Sequence, residues 1–372
     1  MKYFLPFCAA ALLSANLTAQ NQIVASGSSE GQNFEVEEVA SGLGVPWGLS
    51  FISEQELFVT QRTGEAVLVD VSTGESRTVT GLPQVEARGQ GGLLDVAIAP
   101  DFNDSRWLYF TYSKPQGSGA ATTLARARLT DNQLEDWQDL LVSDSVTGRN
   151  QHFGSRIAFD DDGYLYFGIG DRGDRDEAQN TSNHIGAIIR LHLDGRVPQD
   201  NPFVGNPDVR DEIWSYGHRN PQGMAFDSVE QRLWSNEHGP RGGDEINLIQ
   251  PGLNYGWPEV SQGREYWGPI SIGEDSLPEM EDPIVVFTPS IAPGSLLVYR
   301  GEAFPEWQGN LLNGALVLTH LNRIVLDENL ELVTEERLLE AVGERIRALA
   351  VDHQGWLYLS TDSGRLLRLR PA

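Results

Sequence analysis

Arg156-Ile-Ala-Phe-Asp-Asp-Asp-Gly-Tyr-Leu-Tyr-Phe167 holds two short apolar strands separated by an acidic, glycine-containing turn. A strand places successive side chains on opposite faces, and an Asp/Gly turn lets a second strand return beside the first. The segment therefore predicts a β-hairpin. It is also the clearest copy of a unit that recurs along the chain.

Each copy of this unit has an apolar strand, an Asp- or Gly-rich turn and a second strand rich in Leu, Tyr, Phe and Trp. Five clear copies have their first strands at residues 47–51, 95–98, 156–159, 223–226 and 348–351. The interval between the last two copies is about twice the others, and residues 295–299 with 311–318 fit there as a degenerate sixth copy.

Six copies predict an all-β, six-bladed β-propeller. A single small sheet leaves its apolar faces exposed, whereas radial stacking of sheets buries them and protects the strand edges. We expect four-stranded antiparallel blades in one catalytic domain over residues 38–372, after an N-terminal linker at residues 20–37. The copies are further apart than the about 40–50 residues of a bare blade, so long loops should gather at one end of the channel and carry function.

The first residues predict an export signal. Lys2 is followed by an apolar run over residues 4–15 and by small residues ending at Ala19, which is typical of a signal peptide, here residues 1–19. The run is too short to span a membrane, so we expect a periplasmic or secreted protein with no membrane span. Cys8 is the single cysteine, and its removal with the signal would leave no disulfide.

The charge of the chain limits its partners. The sequence has 27 Lys and Arg against 53 Asp and Glu, a formal net charge of −26. Nucleic-acid binding requires a basic face, so this balance excludes a nucleic-acid partner and favours a solubility role for the surface charge.

Two motifs match known binding loops only superficially. Gly168-Ile-Gly-Asp-Arg-Gly173 has the spacing of a dinucleotide-binding loop, but no amphipathic helix follows it to hold a pyrophosphate. Asp160-Asp-Asp-Gly163 resembles part of a calcium loop but lacks the twelve-residue spacing and the closing Glu. We interpret the second as a solvated blade turn.

Several loop segments are too polar and too rich in Gly and Pro to be simple turns. They occupy residues 89–95, 151–156, 217–223, 237–247, 254–258, 289–293 and 345–347. Together, and in order over about residues 38 to 370, they resemble the soluble glucose, aldose sugar and sorbosone dehydrogenases that depend on pyrroloquinoline quinone (PQQ). The resemblance implies a quinoprotein that oxidises an aldose at C1 to the lactone, passes hydride to PQQ, holds one Ca²⁺ jointly with the cofactor and delivers electrons to an external acceptor.

The resemblance also implies roles for particular residues. His152 matches the catalytic base, and Arg219 and Asn220 match cofactor contacts, with Arg219 close to the quinone carbonyl that is reduced. Gly239 and Pro240 match the backbone carbonyls that bind the cofactor-linked Ca²⁺.

Further cofactor contacts are implied at four positions. Gln90 matches one of them, Arg345 and Arg347 match the partners of PQQ carboxylates, and Asp244 matches an acidic residue near the cofactor. The family's glucose enzymes also use a lysine for a cofactor carboxylate, and residues 317–323 offer no counterpart. Two other departures, Gln151 in place of a carboxylate and Ser155 in place of glycine, concern the substrate range more than the reaction.

These residue types suit the implied chemistry. A neutral imidazole, with an ordinary pKa of about 6.5, accepts a proton at neutral pH. Arginine offers forked donors that match a carboxylate, and carbonyl oxygens are hard ligands for Ca²⁺. His238 is the rival base, because it adjoins the Gly239-Pro240 segment.

Two other functions remain alternatives. A Ca²⁺-dependent lactonase of the six-bladed propeller type would hold its metal with side-chain carboxylates and Asn and would need no quinone. A non-catalytic propeller would bind a protein or a glycan, since a fold alone does not imply a function. The Gly-Pro segment and the arginines in the loops favour the dehydrogenase over both.

Overall fold

The computed structural model describes residues 22–372. The predicted signal peptide at residues 1–19 lies outside this range. Within it, no helix has the length and apolar character needed to cross a lipid bilayer.

Short β-strands make up most of the regular structure. In chain order they are β1 (Gln22–Ser29), β2 (Gln32–Ala40), β3 (Pro46–Phe51), β4 (Glu56–Gln61), β5 (Ala66–Asp70), β6 (Ser76–Thr78), β7 (Leu93–Ile98), β8 (Trp107–Gln116), β9 (Gly119–Thr130), β10 (Gln133–Val142), β11 (Ile157–Phe159), β12 (Tyr164–Ile169), β13 (Ala187–His192), β14 (Ile213–Tyr216), β15 (Pro221–Asp227), β16 (Arg232–Glu237), β17 (Asp244–Ile249), β18 (Val285–Phe287), β19 (Pro293–Val298), β20 (Leu311–Ala315), β21 (Leu321–Leu326), β22 (Leu332–Leu338), β23 (Ile346–Val351), β24 (Leu357–Thr361) and β25 (Leu366–Pro371). The helices are short: α1 (Phe102–Ser105) and 3₁₀ turns at Arg175–Gln179, Pro305–Trp307 and Glu340–Val342.

These strands form the predicted six-bladed propeller. Five blades are consecutive four-stranded antiparallel sheets, β3–β6, β7–β10, β11–β14, β15–β18 and β19–β22. Each predicted hairpin forms the first two strands of a blade, including the degenerate copy at β19 and β20. The prediction of fold class is therefore confirmed.

The sixth blade joins the two ends of the described chain. Its strand order is β1-β2-β25-β24-β23, and Val36 of β2 pairs with Leu369 of β25. Residues 22–37, expected to be a linker, thus lie mostly in strands of this five-stranded sheet. Phe34 and Val36 of β2 are fully packed in the core, whereas the Ser- and Gly-rich sequence of β1 carries too little apolar alternation to predict a strand.

The first strands of the six blades, β3, β7, β11, β15, β19 and β23, contact one another around the central channel. A buried ion pair on this axis connects several blades: Arg156 Nη1 lies 2.7 Å from Asp95 Oδ1. The Arg156 guanidinium also donates to the carbonyl oxygens of Gln222 and Gly294 and stacks on Trp47. Because an unpaired buried charge is costly, these contacts fix the blades against each other.

The antiparallel pairing decides where loops meet. The second strand of a blade ends beside the start of the first strand, so the residues that follow second strands lie next to those that precede first strands. Arg62, Asp171, His238 and Asp362 follow β4, β12, β16 and β24, respectively. They therefore lie at the same mouth of the channel as the predicted functional loops.

Candidate active site

A cavity of about 740 Å³ opens at this mouth of the channel. It is within the size range of pockets for small molecules, about 300–1,000 Å³. Its wall includes six of the predicted site residues, namely Gln90, His152, Arg219, Gly239, Pro240 and Asp244. A smaller cavity of about 130 Å³ adjoins it, shares Gln90 and His238 with it, and contains Arg345 and Arg347.

His152 is paired with a carboxylate that the sequence did not single out. Its Nδ1 lies 2.6 Å from Oδ1 of Asp171, and both side chains are buried. An ionised carboxylate can only accept a hydrogen bond, so this contact places the hydrogen of neutral His152 on Nδ1. The Nε2 atom is then the basic nitrogen of a residue that lines the cavity.

Asp171 is held in place by three further hydrogen bonds. Oδ2 accepts a hydrogen bond of 2.8 Å from Trp257 Nε1, Oδ1 accepts one from the Gly173 N–H, and the Asp171 N–H donates to the Arg219 carbonyl. Burial opposes ionisation of this carboxyl, but the hydrogen bond from His152 and the positive charge of Arg219 outweigh it and hold the pKa of Asp171 below its usual value. Asp171 is thus an oriented anion beside the imidazole.

The backbone at His152 adopts an unusual conformation. Its φ of 52° is in the left-handed region, which non-glycine residues rarely occupy except at sites that the surrounding structure fixes. Gln90 Oε1 accepts a 2.7 Å hydrogen bond from the His152 N–H. Gly170 supports the carbonyl side, because a Cβ there would lie 2.3 Å from the His152 carbonyl oxygen.

His238, the rival base, is engaged in other contacts. Its Nε2 lies 2.8 Å from the Pro293 carbonyl oxygen, so this nitrogen carries a proton. Burial, together with the nearby charge of Arg219, lowers the pKa of His238 to about 3. His238 is therefore a neutral residue in the cavity wall, and its ring N–H already donates to the Pro293 carbonyl. The geometry favours His152 as the base.

The loop that carries Arg219 is anchored from below by Glu237. The Glu237 carboxylate accepts the N–H groups of Arg219 and Asn220, and it also accepts from His218. Arg219 Nη1 donates to the His238 carbonyl at 2.8 Å. Its buried Nε has no hydrogen-bond partner among the described residues, and the side chain lines the cavity.

Asn220, which the resemblance matches to a cofactor contact, lies behind the cavity wall in this structure. Its side chain is 1% exposed, Oδ1 accepts from Gly154 N–H and Gln222 Nε2, and Nδ2 lies 3.4 Å from His238 Nδ1. These contacts tie together two of the site's loops, so in this structure Asn220 orders the wall and is not one of the residues that line it.

Gly239 and Pro240 lie in a sharp turn at the cavity wall. A Cβ at Gly239 would lie 2.0 Å from the Gly243 carbonyl oxygen, so only glycine fits. Asp244 fastens this turn, because Oδ1 accepts from Gly239 N–H at 2.8 Å and Oδ2 accepts from Ala292 N–H at 2.6 Å. Burial raises the pKa of Asp244 to about 6, against the effect of these hydrogen bonds.

Three arginines line the smaller cavity. Arg345 and Arg347 both contact one carboxylate, Asp362, at 2.8 and 2.9 Å. Arg62, which the sequence did not indicate, lines the same cavity. Burial and the nearby charge of Arg347 lower the pKa of Arg62.

Neither Asp171 nor Arg62 is predicted to be a site residue from the sequence, for different reasons. Asp171 lies inside the Gly168–Gly173 motif, which is interpreted from the sequence only as a dinucleotide-type loop without its helix. Arg62 follows an ordinary second strand. The two residues share one position in their blades, within two residues after the end of the second strand, at the mouth of the channel that carries the functional loops. This position is the sequence signal that could have indicated both.

Comparison with known proteins identifies the family. The sequence model for glucose and sorbosone dehydrogenases matches residues 43–368. The chain belongs to the glucose/sorbosone dehydrogenase family. The resemblance read from the loop motifs is thereby confirmed.

Relatives in this family are similar over most of their length. Aldose sugar dehydrogenase YliI of Escherichia coli is 40% identical over 346 residues, which are 90% of this chain and 92% of the relative. The crystal structure of the soluble aldose sugar dehydrogenase from Escherichia coli in the apo-form has a TM-score of 0.87 at 38% identity and covers 91% of this chain and 100% of that one. The PQQ-bound aldose sugar dehydrogenase of Streptomyces coelicolor has a TM-score of 0.74 at 28% identity, over 91% and 98% of the two chains.

Proposed function

We propose that this member of the family is a PQQ-dependent aldose sugar dehydrogenase, in which His152 is the base that starts oxidation of the sugar at C1 to give the lactone. The observation that carries the proposal is the His152–Asp171 pair in the wall of a cavity that also contains Arg219 and the Gly239-Pro240 turn. The existence of relatives that bind PQQ supports it.

The residues of the cavity fit PQQ, a flat molecule with three carboxylates. Arg219 Nε is buried with its hydrogen-bonding capacity unused, and three arginines line the adjoining cavity with only Asp362 as their counter-charge. In a chain with net charge −26, such a local excess of guanidinium groups favours a multiply charged anion.

His152 supplies the proton transfer. Its Nε2 would accept the proton of the C1 hydroxyl, and Asp171 would stabilise the imidazolium that results. The Trp257 and Gly173 donors keep Asp171 ionised and oriented, so it holds the imidazole in one tautomer throughout. A base positioned in this way contributes typically about 10²–10⁴-fold to a rate.

When bound, PQQ supplies the acceptor for the hydride from C1. Arg219 would present positive charge in the cavity. Such a charge stabilises the developing negative charge best when it is already in place before the reaction. The Arg219 guanidinium is fixed by the His238 carbonyl and its backbone by Glu237, so little reorganisation is needed. An external acceptor would then take the electrons, because the chain has no haem-attachment motif.

The Gly239 and Pro240 carbonyl oxygens would hold the Ca²⁺ that joins protein and cofactor. Both residues line the cavity, and carbonyl oxygens are suitable Ca²⁺ ligands. Two protein carbonyls alone make a weak site, so the remaining ligands would come from the cofactor. We therefore expect Ca²⁺ and PQQ to bind together.

The lactonase alternative requires another donor set. Over residues 22–372, no group of three or more His, Cys, Asp or Glu side chains is arranged to hold a metal, whereas that alternative needs carboxylates and Asn around its Ca²⁺. The non-catalytic alternative leaves the oriented His152–Asp171 pair without a purpose. The proposed site of action is the periplasm, because residues 1–19 have the pattern of an export signal.

The experiment is reconstitution of the apoprotein with PQQ and Ca²⁺, followed by dye reduction with glucose and a panel of other aldoses. Reduction that needs sugar, PQQ and Ca²⁺ together is expected, and a chelator should abolish it. Lactone hydrolysis with Ca²⁺ alone would support the lactonase instead, and binding of PQQ without turnover on any aldose would contradict the proposed reaction.

A further inference from the structure

The resemblance implies a lysine that contacts a carboxylate of the cofactor, and residues 317–323 contain no such lysine. In this structure Val317 is at the rim of the larger cavity and Leu316 is in the wall of the smaller one, and neither side chain is charged. A further anchor for the cofactor's carboxylates would then come from another element.

Arg62 has the position that such an anchor needs. It lines the smaller cavity together with Gln90, Arg345 and Arg347. Among residues 22–372 its guanidinium has no hydrogen bond and no ion pair within the usual distance limits, whereas Arg345 and Arg347 both contact Asp362. It is the arginine of this cavity wall whose donors are all available.

The charge around this cavity is unbalanced. Three guanidinium groups face one carboxylate, so two positive charges have no counter-charge within the cavity wall. The lowered pKa of Arg62, caused by burial and by Arg347, shows that this arrangement disfavours its charged form. A bound anion would relieve the repulsion.

The backbone at Arg62 is fixed by its neighbours in a way that explains part of a sequence motif. The Arg62 N–H donates to the Val45 carbonyl, and the Arg62 carbonyl accepts from Leu93 N–H at 3.3 Å. A Cβ at Gly92 would lie only 1.7 Å from the Arg62 carbonyl oxygen, so the glycine permits this close approach. The Gly89–Asp95 segment thus sets Arg62 and Gln90 on the same cavity.

From this geometry we infer that Arg62 binds a carboxylate of the quinone cofactor and takes the place of the lysine. The inference rests on the proposed function, because it needs PQQ in the two adjoining cavities. The carboxylate would bind between Arg62 and the Arg345–Arg347 pair, where a multiply charged planar anion compensates all three guanidinium groups.

The test measures PQQ affinity by titration of the apoprotein with Ca²⁺ present, using calorimetry or quenching of tryptophan fluorescence. Arg62→Met should weaken PQQ binding by about ten- to a hundredfold, as expected for loss of a charge-assisted hydrogen bond. Arg62→Lys should restore part of the affinity, since it keeps the charge but loses the fork. Binding to the wild type should also depend more steeply on salt than binding to Arg62→Met.

Two controls separate a binding role from a structural one. Arg77→Met removes another arginine of the same blade, which pairs with Glu56 on the surface, and should leave PQQ affinity unchanged. The apo form of Arg62→Met should melt at or above the wild-type temperature, because a repulsive charge has been removed. Equal PQQ affinity of wild type and Arg62→Met would overturn the role of Arg62 alone, whereas failure of the wild type to bind PQQ would overturn the proposed function as well.

Discussion

Asp171 Oδ1 lies 2.6 Å from His152 Nδ1, and the two residues come from the two loops at the open end of the first hairpin of one blade, one before β11 and one after β12. The antiparallel pairing of these strands brings the loops together. The hairpin thus fixes the distance between the imidazole and the carboxylate that orients it. A proton-transfer site requires precise placement of this kind, which short loops fixed to a paired hairpin provide.

Replacing Asp171 with Asn should reduce turnover without preventing folding. The amide cannot stabilise an imidazolium, so kcat should fall by about tenfold or more, toward the 10²–10⁴-fold that a positioned base supplies. Loss of the carboxylate also removes the partner that fixes the imidazole in one tautomer, so the effect should appear in kcat more than in KM. Steady-state kinetics over a pH series measures both effects.

Asp174→Asn is the matched control for this change, because Asp174 is an exposed carboxylate in the same loop. It should leave the rate and the pH profile as in the wild type. A wild-type kcat in Asp171→Asn would show that the carboxylate does not act through His152.

Gly170→Ala should displace His152. The new Cβ would lie 2.3 Å from the His152 carbonyl oxygen, and overpacking of this kind costs typically about 1–3 kcal/mol. Thermal or urea unfolding should show the loss of stability, and kcat should fall because the backbone that carries the base must shift. Gly148→Ala is the control, since a Cβ there meets nothing within 4 Å, and an equal effect of both changes would argue against a specific contact.

His238 should make the apoprotein less stable in acid. Its folded-state pKa of about 3 is below the ordinary value of about 6.5, so the unfolded chain binds more protons between these pH values. The stabilisation linked to neutral His238 is therefore present above about pH 6.5 and is lost as the pH falls toward 3.

The measurement compares the free energy of unfolding of wild type and His238→Gln over this pH range. The advantage of the wild type should shrink on acidification, by an amount of the order of a few kcal/mol. The difference between the two proteins cancels the titration of other groups. A difference that stays constant with pH would mean that His238 is not held neutral.

The propeller was predictable from the sequence because strand alternation and turns repeat with the blades. Even the degenerate unit at β19 and β20 kept enough apolar alternation to be located by its spacing. The strand β1 was not predictable, because its Ser- and Gly-rich sequence gains its pairing from β2, and tertiary pairing overrides weak local preference.

Candidate-site residues that lie in Gly- and Pro-rich loop motifs were predictable from the sequence. Residues that reach the site only through their place in a blade were not. His152, Arg219 and the Gly239-Pro240 turn lie in conspicuous loops, and the structure brings them to one cavity. Asp171 and Arg62 lie at or just beyond the ends of second strands, and a single sequence does not show which of many such polar residues face the channel. Asn220 illustrates the reverse case, since its motif is conspicuous but its side chain is used for internal hydrogen bonds.

The most direct test of the central claim is a paired measurement on His152→Ala, of PQQ affinity and of the rate of dye reduction with an aldose that the wild type oxidises. The account predicts that PQQ binds as in the wild type while turnover falls by about 10²–10⁴-fold, because the variant keeps the cavity and loses the base. Turnover close to that of the wild type, at full PQQ occupancy, would contradict it.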